Sequence, residues 1–538
     1  MVFTLQRYLF RELFRIFLLA TIGLTLILSL GGVLRPVQEY GAGPRQVVHI
    51  LVYFMPITLT FVLPMAALFA SALAYGRFAS DNELDACRAS GISMTTLVYP
   101  GLILAILVAI ANLLLSFHVM PYFVHLAERS LKADAKQILF RNIQRRGSYS
   151  LPPENRFVIY ADYADPKTDS LYGIIIVESD REGVKRIITC ESARVRFDLH
   201  DRFNELQLDA RNMRLMSGTD EVWVENVQSI RQEFGALLGD DIKFKKIEEM
   251  KQIRANLMLF DPIARAARDV HLQLSTELLA QDIAKTLDAS VRSSYWLSGK
   301  SESVRFTAAG CGLQKGSEIS LQPPVLAEEY DGRTDKLLRG LSSDKAVISI
   351  DGGRMDPASG NSVEPRLRLD LFNAKVVQTE EQGLHHTVSD LSLPEAIRRT
   401  LNSSDILQVA SPEGLASILK GPPSPRLVEL QQILARRIHT AMVDIKGEMN
   451  SRLVFGIGCI PMILIGIGLG IIKRGGHLLS AFAASCVPAV VLIVAIISGK
   501  HVTENVGSQG VSGILVMWAG LAFLILLAAG MYGRLLRR

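Results

Sequence analysis

RFASDNELDACRASGIS, residues Arg77–Ser93, is a short charged connector between two long apolar runs. Its carboxylates Asp81, Glu83 and Asp85 precede Cys87, Arg88 and a closing Gly91-Ile92-Ser93. This order predicts a helix of about three turns with a glycine stop. Ser80 or Asp81 is placed to cap the first turn, and negative side chains there suit the positive end of the helix dipole. What such a helix does depends on which side of a membrane it faces, so the flanking sequence has to be read first.

The run before it, Ile50–Gly76, carries no charge and contains Pro56 and Pro64; the run after it, Leu97–Phe117, ends near Pro121. Prolines are tolerated in spanning helices because neighbours satisfy the freed carbonyls. Upstream, Arg7, Arg11 and Arg15 recur at helical spacing among Phe3, Leu9, Phe10, Leu13 and Phe14, predicting an amphipathic helix on a membrane surface. Ile16–Leu34 then runs without a charge, long enough for a core that needs about 20 residues. It lacks a small-residue cleavage site and is expected to be a retained anchor. Three further runs, Leu453–Ile472, Leu478–Ser498 and Val511–Tyr532, close the chain. Gly456, Gly458, Gly466, Gly468 and Gly470 give the fourth run a small face that permits close helix packing.

The expected architecture is an α-helical membrane protein of six spans, three in residues 1–144 and three in 426–538, around a soluble region at 145–425. Composition agrees: 49% of the 538 residues are hydrophobic although 21% are charged, and the charges concentrate between Arg145 and Arg452. A net charge of +5, scattered along the chain, excludes a nucleic-acid partner. Short-loop basic residues set the orientation. Arg7, Arg11, Arg15, Arg77, Arg88, Lys473, Arg474, Arg534, Arg537 and Arg538 fall on one side, and Arg35, Arg45 and Lys500 on the other. Both termini and the connector are therefore expected in the cytoplasm, and the soluble region outside.

That region begins as short alternating strands, for instance 156–163, 171–177, 194–200, 205–215 and 221–227, with Val195, Phe197 and Leu199 on one face and Arg194, Arg196 and Asp198 on the other. A half-buried antiparallel sheet follows, read as a sandwich or jelly roll. Residues 242–291 turn helical and charged before strand patterns return at 346–350 and 366–377, so the helices read as an insertion into, or an extension of, the β domain. Ser392-Leu393-Pro394-Glu395 is a capping box, residues 421–425 a proline-rich linker, and Arg426–Arg452 a polar helix leading into the fourth run.

Chemistry-bearing motifs are sparse. Gly299-Lys300-Ser301 has the end of a phosphate loop, but Ser294 stands where the motif requires Gly. His385 and His386, being adjacent on an extended chain, point to opposite faces and read as a solvated loop. No metal or cofactor is expected. Cys190 and Cys311 are the pair that could form a disulfide, and the sequence leaves this open. Ionisable residues are missing from the depth of every span, which argues against an ion-coupled transporter.

A transport protein without an energy source of its own needs an external one, and a short cytoplasmic helix between spans is how membrane subunits of ABC transporters meet their ATPase. At this point the residues resemble a family. Ser80–Ser93, Arg7-Tyr8-Leu9 with Glu12, Leu391–Glu395 and Lys473-Arg474-Gly475-Gly476 are similar to motifs of the LptF/LptG permeases of lipopolysaccharide export. The similarity covers residues 1–144 and 427–538 well and the soluble region less well; Cys87 stands where the family usually has an apolar residue.

The resemblance implies a non-catalytic permease subunit in the bacterial inner membrane, with its large domain in the periplasm. It implies a sister LptF/LptG-like subunit, an LptB-like ATPase dimer, an LptC/LptA-like periplasmic bridge and lipopolysaccharide as cargo. It carries ATPase coupling onto Arg77, Asp81, Glu83, Arg88 and Gly91, with Glu83 foremost. Arg35 and Arg45, just outside the first span, are candidates to attract head-group phosphates. The alternative is a periplasmic signalling or mechanotransmitting module anchored by two helix triplets.

Overall fold

The computed structural model describes residues 2–537 apart from 41–43, 134, 152–156, 181–182, 200–203, 218–219, 225–227, 235–239, 289–292, 300, 315–317, 333, 335, 352–364, 377–383, 404–406, 420, 473–477 and 506–510. The helices are α1 (Val2–Tyr40), α2 (Pro44–Ser80), α3 (Glu83–Ala89), α4 (Met94–Leu114), α5 (Met120–Ala133), α6 (Ala135–Arg146), α7 (Ile247–Ala255), α8 (Asp261–Asp288), α9 (Glu395–Ser403), α10 (Pro412–Ile418), α11 (Pro425–Ile472), α12 (Leu478–Asn505) and α13 (Val511–Arg537). The strands before α7 are β1 (Ser148–Ser150), β2 (Phe157–Asp165), β3 (Ser170–Asp180), β4 (Gly183–Leu199), β5 (Asn204–Ser217), β6 (Asp220–Val224) and β7 (Gln228–Phe234). Those after α8 are β8 (Tyr295–Leu297), β9 (Glu302–Thr307), β10 (Gly310–Gln314), β11 (Glu318–Gln322), β12 (Val325–Asp331), β13 (Leu337–Ser343), β14 (Lys345–Asp351), β15 (Arg366–Val376) and β16 (Leu384–Ser392). The chain divides into two compact units, Met1–Ala255 with Ala441–Arg538, and Asn256–Thr440.

Among the described residues five helical segments are long and apolar enough to cross a membrane: Phe3–Gly31, Leu51–Ser80, Met94–Ser130, Pro425–Ile472 and Val511–Leu535; Val487–Thr503 is a shorter apolar stretch. Three expected boundaries move. The amphipathic start and first span are one helix of 39 residues, because Leu9, Leu13 and Phe17 recur every fourth residue and are buried on one continuous face. The third run does not stop near Pro121: one π turn, Leu115–Val119, carries the helix on into α5, with Pro121 just after the wider turn. The polar helix and fourth span are one helix of 48 residues.

Two cores bind these helices. One joins Leu13, Ala70, Phe78, Leu104, Ile463 and Ile467, and the other Val454, Met462, Leu492, Met517 and Leu521. The small face of α11 is used as expected. A Cβ on Gly466 would lie 2.7 Å from the Leu68 carbonyl, and one on Gly470 2.7 Å from that of Ala72, so glycine lets α11 and α2 approach backbone to backbone.

The strands form two antiparallel sheets, one before α7 and α8 and one after them. β1 to β6 pair in sequence order and β7 returns to β5. Their inner face sets Ile159, Ile174, Ile176, Ile188, Val195 and Leu206 against Ile138, Leu139, Phe140 and Ile143 of α6. A helix of 12 residues is marginal alone, so these four side chains, each stabilising by about 1.5–3 kcal/mol when buried, hold it. The expected alternation holds where it is described: Val195 is buried, while Arg194 and Arg196 are exposed.

In the second unit the order is β10-β11-β14-β15-β13-β12-β9-β8, with β16 also on β15. Pairing of strands, which sequence periodicity does not specify, keeps the two sets apart. Ile263, Val270, Leu274 and Ile283 of α8 are buried. Glu277, 2% exposed, accepts from the Ser424 amide at 3.2 Å and from its hydroxyl, while that hydroxyl accepts from the Leu427 amide at 3.1 Å. Ser424 thereby caps α11. The Ser392 amide donates to the Ser298 carbonyl at 2.7 Å and Ser392 stays paired on β16, so α9 opens at Glu395.

His386 lies on β16 instead of in a loop; the side chain of His385 is outside the described residues. Cys190 and Cys311 form no disulfide, and the Cys311 thiol donates to the Ala280 carbonyl at 3.4 Å. Burial pushes the Cys190 thiol up to about 11.

Candidate functional site

The connector is built differently from the single helix its sequence suggests. α2 carries on through Arg77 to Ser80, and the Ser80 hydroxyl donates back to the Arg77 carbonyl at 3.0 Å instead of capping the next helix. Asn82 turns the chain with φ 58° and its side chain makes no capping bond. A left-handed conformation is tolerated better by Asn than by most residues. α3 then has only seven residues. It is too short to persist by itself, and Leu84, 2% exposed, and the half-buried Cys87 pin it to the membrane-helix core. Leu84 was not among the expected site residues, although its i,i+3 spacing from Cys87 marks an apolar face.

Gly91 ends α3 at φ +80°, a conformation that glycine adopts without strain. The Gly91 amide donates to the Arg88 carbonyl at 2.9 Å and the Ile92 amide to that of Cys87 at 3.1 Å. Ser93 then accepts from the Thr96 amide and starts α4. These two turns leave Asp81, Glu83 and Arg88 exposed on one short element, with Asp85 half-buried.

Arg77 is drawn away from that group. Its guanidinium donates to Glu12 of α1 at 2.8 Å and lies 5.6 Å from the Phe78 ring centroid. The two side chains are 46% and 21% exposed, so the pair stabilises by no more than about 1 kcal/mol and serves chiefly to orient α1 on α2. Glu12 is the partner that sequence spacing misses, being 65 residues away.

Beside the connector, an apolar cavity of about 260 Å³ is lined by Met94, Val98, Tyr99, Leu102, Ile471 and Tyr532, among others. Arg35 lies within α1 and Arg45 in the first turn of α2, so neither is in a loop; their side chains lie outside the described residues. Residues 473–476 are also outside them. Among the described residues no group of His, Cys, Asp or Glu is placed to hold a metal ion.

Residues 7–254 match the family model of the lipopolysaccharide export system permease LptF/LptG. Over that stretch the chain is similar to the LptF/LptG family. Comparison with curated proteins finds no match. The LptF/LptG match takes in the connector and also the whole first sheet, which the sequence motifs covered less well. It stops at residue 254, where the first segment of unit one ends at Ala255. LptF/LptG proteins are components of a transporter, with a permease role in lipopolysaccharide export. With its apolar helices, the chain is a multi-pass protein of the inner membrane.

Proposed function

We propose that this chain is one six-span permease subunit of an ABC transporter that extracts lipopolysaccharide from the inner membrane and hands it to a periplasmic bridge. The family match carries this reading, because it contains the membrane helices before the first sheet together with the connector between two of them. α12, with 28 residues, supplies the sixth span. Both termini and α3 face the cytoplasm, and the two sheets face the periplasm. A sister LptF/LptG-like subunit completes the cavity, and an LptB-like ATPase dimer drives it.

In this reading α3 is the coupling element. Leu84 holds it against the spans, while exposed Asp81, Glu83 and Arg88 meet the ATPase. Glu83 meets a basic side chain through charge-assisted hydrogen bonds. Arg77 and Gly91 act indirectly, by fixing where α3 begins and ends. Arg35 and Arg45 draw the head-group phosphates to the outer end of the first two helices.

The test is Glu83→Lys in the assembled complex. Loss of co-purifying ATPase, or of lipopolysaccharide-stimulated hydrolysis, by at least tenfold is expected; wild-type association and stimulation would overturn the coupling role. In the same preparation, replacing Arg35 and Arg45 with Gln weakens cross-linking of lipopolysaccharide to the cavity without releasing the ATPase.

A further inference from the structure

Arg452 stands on α11 where the fourth apolar run begins, and it is only 4% exposed. Its Nε donates to Glu448 Oε1, one turn earlier, at 2.8 Å. The other Glu448 oxygen accepts from Lys500 Nζ on α12. The terminal nitrogens of Arg452 reach out of the helix pair: Nη2 donates to the Lys243 carbonyl at 2.8 Å and Nη1 to the Lys245 carbonyl at 3.2 Å. Those carbonyls lie on the turn Ile242–Phe244 and the residue after it, in the segment that follows the first sheet. Phe117, in the π turn after α4, lies with its ring centroid 5.7 Å from the guanidinium carbon.

The same segment is held a second time. His125 of α5 meets Glu249 of α7 at 3.3 Å, and a Glu249 oxygen accepts from the Lys246 amide at 3.2 Å. Ile242 is buried, and Lys245 pairs with Asp240.

Burying ions costs several kcal/mol each, and an apolar substitute of similar volume is often no less stable, so stability alone does not explain this cluster. The guanidinium does what an apolar residue or a lysine does not: its rigid fork aims separate donors at Glu448 and at two main-chain carbonyls. It fixes position.

We propose that Arg452 is a positioning residue that clamps the segment leaving the first sheet to α11, where its apolar run begins, and to the C-terminal part of α12, so that displacement of those helices during transport is passed to the sheet. Transfer to the sheet rests on the proposed function; the clamp itself does not. Arg452→Lys and Arg452→Met are made in the full complex with its ATPase, and two readouts are taken. The first is amide hydrogen exchange across residues 242–250, which is expected to speed up at least tenfold in both variants while α2 and α4 keep wild-type protection. Unchanged exchange at 242–250 in Arg452→Lys, or in an assembled Arg452→Met, overturns the clamp whatever the protein transports. The second is ATP-dependent cross-linking of lipopolysaccharide to a photoreactive residue placed at Phe197 on the first sheet. A fall of at least tenfold with ATP hydrolysis retained is expected, and wild-type cross-linking in a variant with faster exchange overturns the transmission role. Absence of ATP-dependent cross-linking in the wild type counts against the proposed function, and the exchange readout still decides the clamp.

Discussion

The first sheet buries an inner face of Ile159, Ile174, Ile176 and Ile188 against α6, whereas the second holds a carboxylate, Glu329, at 0% exposure. The Glu329 oxygens are met by Arg339 of β13 and His386 of β16, whose side chains are 44% and 24% exposed and so keep part of their hydration. Burial alone would raise the Glu329 pKa; hydrogen bonds from His386 and Arg339 outweigh it and hold the carboxyl below its usual range. Apolar burial is non-directional and leaves register to the alternation of residues, while a forked ion pair joins β12 to particular residues of two other strands. The sheet inside the family match is thus held by area, and the sheet outside it partly by aimed charge.

The sharpest way to break that contrast is to remove packing from the first sheet. Leu139, 0% exposed on α6, when changed to Ala is expected to cost about 3 kcal/mol. Urea unfolding of the detergent-solubilised chain should show it, with α6 and β1 to β5 losing exchange protection first. Next comes Arg339→Met, which leaves Glu329 with one partner and is expected to cost about 2 kcal/mol, read as faster exchange in β12, β13 and β16 and not in the first sheet. Equal effects on both sheets would mean that the contrast is not energetic.

The smallest expected effect is on pH. A folded pKa below the unfolded value near 4.5 stabilises the second sheet at pH above that value, and this contribution is lost as pH falls through the lower folded value. Glu329→Gln should flatten the acid limb of the second sheet's stability and leave that of the first unchanged.

Uncharged runs made the membrane helices legible, because charge exclusion is a local property of sequence. Alternation at Arg194–Arg196 did the same for a strand and its buried face. The separation into two sheets was not legible, since hydrophobic period fixes which face is buried but not which strand is the partner. At the connector, the position of the helix and its glycine end could be read, but not its shortness: Ser80 returns its hydroxyl to α2, and Leu84 anchors what remains. Arg77–Glu12 and Arg452–Lys245 join residues 65 and 207 apart, so no local pattern could reveal them.

The π turn at Leu115–Val119 amounts to a frameshift in helical phase. Each residue of an α-helix advances about 100° and about 1.5 Å, so a wider turn resets the azimuth of everything after it. Were the same five residues wound as regular α-helix, His125 would swing roughly a quarter turn from Glu249. The wider turn therefore sets the angular phase at which the third membrane helix meets α7.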